Sequence, residues 1–156
     1  MNKVLIEYRS NNTGHEDIHF QFGEYSCIAD SYYLGLDIKN DDPEGSIEEI
    51  LIQLLEQWLQ VLQHADTARP VFLPYDFSDQ FTRCLKCIMD GDAIDVQPGW
   101  ATREGYSVSP SKPGNYFYDI QDFRPETPAP VRVTREDFLF QIQESIAQAQ
   151  KQLKTS

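Results

Sequence analysis

Hydrophobic and polar positions alternate along the first thirty residues and recur at helical spacing in two later stretches. Val4, Ile6 and Tyr8 share one face of a strand over residues 3–9, and Ser10-Asn11-Asn12-Thr13-Gly14 follows as a turn cluster. Ile18, Phe20 and Phe22 then alternate with His19 and Gln21, so the two segments read as a hairpin, with Gly23 at a bulge or bend. Further strands are expected over 25–29 and 32–38. After the loop Asn40-Asp41-Asp42-Pro43-Glu44-Gly45, Ser46 and Glu49 have capping-box spacing. Ile50, Leu51, Leu54, Leu55, Trp58, Leu59 and Leu62 predict an amphipathic helix running to about His64.

Residues 65–69 form a connection, and Val71-Phe72-Leu73 reads as a short strand stopped by Pro74. Residues 81–89 and 93–96 predict a second hairpin turning at Asp90-Gly91-Asp92. Prolines then crowd the chain between 97 and 130. Short strands are expected there at 105–108 and 116–120, and an extended connector over 124–130. Thr134 caps a last helix whose buried stripe is Phe138, Ile142, Ile146, Ala149 and Leu153. Strands joined by tight turns, with helices between the groups, imply an α+β fold: an antiparallel sheet built from hairpins with two main helices packed against it. At 156 residues, positions 1–156 form a single domain. Its core is expected to include Ile6, Phe20, Leu51, Leu55, Trp58, Phe138, Ile142 and Ile146.

Charge changes the picture. The formal net charge is -12, and all of it lies in residues 1–95, with 6 basic and 18 acidic residues against 7 and 7 in the remainder. Such acidity opposes binding to nucleic acid or to anionic membranes and suits a basic protein partner. No apolar stretch reaches the length of a membrane span, and the N-terminal apolar run is too short for a signal peptide, so a cytoplasmic location is expected. Three cysteines, an odd number, fit a reducing compartment.

The candidate chemistry is sparse. His15-Glu16-Asp17-Ile18-His19 has the letters of H-E-x-x-H, which binds zinc when a helix holds both histidines about 6 Å apart. The strand alternation running through it separates them by about 13 Å at roughly 3.3 Å per residue. Cys84-Leu85-Lys86-Cys87 is a single C-x-x-C on a strand pattern, which sends the two thiols to opposite faces. Counted from Asp37, the acid run to Glu49 has Asp42 at the sixth position, where a calcium loop needs glycine, and Lys39 at the third. No phosphate loop or nucleophile turn occurs, and no cofactor is implied.

A non-enzymatic acidic binding protein is therefore the leading expectation. The docking face is expected at Asp37, Asp41, Asp42, Glu44, Glu48 and Glu56, with Tyr75, Asp76 and Asp79 as a second candidate. In size, acidity and lack of a catalytic set the whole chain resembles the immunity proteins of bacterial toxin systems, including those of contact-dependent inhibition. No residue motif carries that resemblance, so no functional residue transfers. It implies a tight complex with a cognate toxin domain, commonly a basic nuclease whose phosphate-binding groove a carboxylate surface would fill. The alternatives are a metal-dependent or thiol enzyme using His15, Glu16 and His19 or Cys84 and Cys87, and an adaptor or structural component of a bacterial assembly.

Overall fold

A computed structural model describes residues 3–32, 34, 46–65, 69–78, 80–102 and 113–155. The fold is α+β, with two antiparallel sheets and two long helices. The first sheet has the order β1-β2-β3, from Val4–Tyr8, Ile18–Phe22 and Tyr25–Ala29. Its β1–β2 register pairs Val4 with Phe22, Ile6 with Phe20 and Tyr8 with Ile18, so the alternating apolar residues share the inner face. Gly23 is the first residue of the two-residue turn into β3, at φ +57°. Beyond β3, the Asp17 carboxylate accepts hydrogen bonds from the Ser31 N–H at 2.9 Å and the Ser31 hydroxyl at 2.6 Å. Tyr32 and Leu34 have helical backbone rather than the strand that composition suggested, and the rest of that stretch lies outside the described residues.

Helix α1 spans Ile47–His64, and the Ser46 hydroxyl accepts from the Glu49 N–H at 3.2 Å, as the capping spacing requires. Helix α2 spans Arg135–Thr155 and starts where the Thr134 hydroxyl accepts from the Asp137 N–H. Phe138, Ile142, Ile146 and Ala149 are buried along it, and Leu153 is partly buried. The two helices pack against each other, and α2 also lies along β1. There it does the work of a neighbouring strand. Gln141 Oε1 accepts from the Val4 N–H, Ser145 Oγ accepts from the Ile6 N–H at 3.5 Å, and Gln152 Nε2 donates to the Tyr8 carbonyl at 3.2 Å. Alternate backbone groups of an otherwise open edge are thus covered by side chains of one helix face.

The second sheet runs β4-β5-β6, from Val71–Phe77, Thr82–Asp90 and Ala93–Ala101. The far side of β6 pairs with β7 (Arg124–Pro125) and β8 (Val131–Thr134). The β5–β6 hairpin turns at Gly91-Asp92, where Gly91 takes φ +60°. Two expectations are corrected here. Pro74 does not stop β4, because β4 is an edge strand and a missing N–H is tolerated there; the register instead shifts between Pro74 and Asp76. Likewise β6 continues through Pro98 to Ala101, since Pro98 falls between the stretches paired with β8 and β7 and its carbonyl accepts from the Glu126 N–H at 2.9 Å.

One face of this sheet is covered by the chain around 113–123. Residues 114–117 form a short 3-10 turn there, not the start of the expected strand over 116–120. The buried Tyr116 bonds the buried Thr82 through their hydroxyls. Phe123 lies against Gly99, where an added Cβ would stand 2.4 Å from the ring and 2.3 Å from the Arg124 carbonyl. The other face meets the helices and the first sheet. Trp58 Nε1 donates to the Pro74 carbonyl at 3.0 Å, and β3 of the first sheet packs against β4. All eight residues named for the core are buried.

Candidate functional site

Cross-strand partners point to the same face of a sheet, so the register of the second sheet can be read in rows. On the face toward the helices, one row is Met89, Ile94 and Val133, the next is Val71, Cys87, Val96 and Val131, and the third is Leu73, Leu85 and Pro98. The fourth row breaks the aliphatic pattern. It consists of Asp76, Arg83, Trp100 and Arg124, contributed by four successive strands. The register shift at Tyr75 makes this possible, because it brings Asp76 back to the face that carries Leu73.

Arg83 is the hub of that row. Its Nη1 donates to Asp76 Oδ2 at 2.6 Å and its Nε to Glu126 Oε1 at 3.1 Å. Burial alone would lower the affinity of this guanidinium for its proton, but the bond to Asp76 and the charges of Asp76 and Glu126 outweigh that and hold it charged. Burial pushes the Asp76 carboxyl up, and Arg83 pulls it back. Glu126 also accepts from the Tyr25 hydroxyl at 3.2 Å, and the hydroxyls of Tyr25 and Tyr75 are 3.3 Å apart. Burial moves both phenols upward, so they stay protonated as hydrogen-bonding groups. Outward along the row, the Arg124 guanidinium lies 5.3 Å from the Trp100 ring centroid, and Phe81 meets Trp100 edge to face.

Chemically this network is a lock. The Arg83 cation is paired with two carboxylates, and burial pushes the nearby Cys27 thiol up. It ties β3, β4, β5 and the 124–126 segment together, and it leaves a half-exposed aromatic rim at Trp100 and Phe81.

The residues expected to dock a partner fall in different places. Tyr75 and Asp76 are 2% and 4% exposed, so this pair belongs to the lock and the interior, not to a surface a partner could touch; the bulge turns both inward. Glu56 is exposed and Glu48 half-exposed on the outer side of α1, with Glu49, Gln53, Gln57 and Gln60. Asp37, Asp41, Asp42, Glu44 and Asp79 lie outside the described residues.

The H-E-x-x-H letters do not form a helix. Glu16 sits at φ +57° in a loop, His19 is on β2 opposite Glu7 and Ile28, and His15 stacks on Tyr32 with Nδ1 3.4 Å from Asp30 Oδ2. Cys84 and Cys87 are fully buried on opposite faces of β5, and burial pushes Cys84 up to about 12 and Cys87 further. Among the described residues no three His, Cys, Asp or Glu side chains gather to hold a metal, and no helix is long and apolar enough to cross a membrane.

The Asp76–Arg83–Trp100–Arg124 row escaped the sequence reading. The expected turn Asp90-Gly91-Asp92 and a strand ending at Val96 do not reach it; the turn is Gly91-Asp92, and the longer β6 pairs Arg83 with Trp100. No protein-family model matches this chain, and no curated protein or solved structure is significantly similar to it.

Proposed function

We propose that this chain is a non-enzymatic acidic binding protein that neutralises a basic protein partner in the cytoplasm, in the manner of a bacterial immunity protein blocking its cognate toxin domain. One observation carries the reading: the outer side of α1 presents Glu48, Glu49 and Glu56 among glutamines, with no basic residue between Ile47 and His64. Glu48 and Glu56 are two turns apart, about 12 Å at 1.5 Å per residue. Several acids elsewhere are matched locally, Glu7 by Arg9, Asp76 and Glu126 by Arg83, and Asp90 and Asp95 by Arg132. Among the described residues the α1 acids have no such match. In the chain, Asp37, Asp41, Asp42 and Glu44 directly precede this helix and add to its charge. An unmatched field of one sign speeds encounter with the opposite sign.

The thiol and metal alternatives are weakened by the same geometry. The buried thiols are held protonated, and the two histidines stand on a loop and a strand. The test is capture of partners from lysate of the source cell at low and high salt, using the wild-type protein and a variant with Asp41, Asp42, Glu44, Glu48 and Glu56 changed to lysine. One stoichiometric basic protein, released by salt and lost from the folded variant, is expected. Equal capture by the folded variant, or no partner at either salt, would remove this reading. Stoichiometric zinc in protein purified without chelators would favour a metalloenzyme instead.

A further inference from the structure

Phe140, on the second turn of α2, is 56% exposed, more than any other large apolar side chain among the described residues. A single exposed apolar residue is ordinary. The surroundings of this one are not. Glu136 precedes it by four positions and Glu144 follows by four, so the helix stacks acid, ring and acid along one line. A cleft of about 270 Å³ opens beside the ring, between α2 and β1, and its walls include Val4, Leu5, Asp137 and Glu144. Lys3 is the one basic residue lining it.

The charges decide what can cover this ring. In a two-fold pairing of α2 with a second copy centred on Phe140, antiparallel helices would set Glu136 of each copy opposite Glu144 of the other, a like-charge contact on both sides of the ring. An acidic partner meets the same repulsion. A basic protein surface does not: arginine or lysine side chains can pair with Glu136 and Glu144 while an apolar side chain between them fills the cleft.

We propose that Phe140 is the apolar anchor of a docking surface for a basic protein, with Glu136 and Glu144 as its charged rim and the α2–β1 cleft as the pocket for the partner's apolar side chain. This rests on the reading that the protein binds a basic partner, and it adds an apolar contact on α2 to the acidic side of α1. A buried aromatic within a ring of paired charges is the usual anatomy of a binding hot spot.

The probe is a short synthetic peptide with one leucine between arginines, titrated at low salt into isotope-labelled protein and followed by amide NMR shifts. The expected shifts cluster on 136–144 and 3–5. Phe140→Ser, with an unaltered unfolding transition, is expected to weaken binding about tenfold or more. Glu136→Gln with Glu144→Gln is expected to weaken it and reduce its salt dependence. Replacing the peptide leucine by serine should cost a similar factor. Equal affinity for Phe140→Ser would overturn the proposal. Shifts confined to α1 would overturn it while leaving the basic-partner reading in place. Absence of binding would remove this surface, while capture of a basic protein by the whole chain would still uphold the wider reading. Self-association of the protein, abolished by Phe140→Ser, would assign the ring to a second copy and also overturn it.

Discussion

Phe20 and Tyr75 lie face to face, ring centroids 3.9 Å apart and planes 7° from parallel. Phe20 comes from the middle of the first sheet and Tyr75 from the bulge in the edge strand of the second, so this stack joins the two sheets. Both rings are 2% exposed. Tyr75→Ala is expected to destabilise the fold by about 3–5 kcal/mol through lost burial and the cavity left behind. Tyr75→Phe keeps the stack and loses only the contact with the Tyr25 hydroxyl, at a cost of about 1 kcal/mol. Urea unfolding of both variants checks the ratio; equal losses would mean that the hydroxyl, not the ring, holds the sheets together.

Gly99→Ala is expected to cost about 1–3 kcal/mol. The new methyl would meet both the Phe123 ring and the Arg124 carbonyl, and the backbone of β7 cannot step aside as a flexible side chain can. The double variant with Phe123→Ala relieves only the ring clash, so thermal unfolding should show partial rescue at most.

The Asp95–Arg132 pair gives a pH signature. Arg132 bonds Asp95 at 2.9 Å and holds its carboxyl below the ordinary range. The unfolded chain therefore binds more protons than the folded one as pH falls through that range, and stability falls with it. Arg132→Gln is expected to lower the unfolding midpoint slightly at neutral pH, less so in high salt, because both partners are solvent-screened. The difference should shrink as the pH falls below the ordinary aspartate range and Asp95 becomes protonated in both states. A gap of constant size across pH would assign the effect to packing instead.

Thiol labelling at pH 8 separates the cysteines. Cys84 and Cys87 are fully buried and pushed up by burial, so neither should react in the native protein. Cys27, partly buried and also shifted upward, is expected to react more slowly than a free thiol. All three should label in denaturant. Fast native labelling at Cys84 or Cys87 would revive the thiol-enzyme alternative.

What the sequence made legible was local. Ser46 with Glu49, Thr134 with Asp137, and the apolar spacing of both helices mark α1 and α2 because caps and periodicity act within a few residues. The hairpin of β1 with β2 and the hairpin around Gly91 were legible for the same reason. Pro74 misled because its effect depends on whether its strand lies at an edge, and sheet order is not local. Tyr75 and Asp76 looked like a loop surface because nothing nearby in the chain announces the bulge that turns them inward. Arg83 finds Glu126 across forty-three residues, a pairing with no periodic trace.

The seal on β1 carries a consequence for synthesis on the ribosome. Val4 waits for Gln141, Ile6 for Ser145 and Tyr8 for Gln152, separations of 137, 139 and 144 residues. β1 thus emerges long before the helix that finishes it, and until α2 leaves the exit tunnel the nascent chain carries a bare strand edge open to any neighbour. A product truncated before residue 135 would keep that edge permanently, which makes the closing helix this protein's own guard against self-templated aggregation.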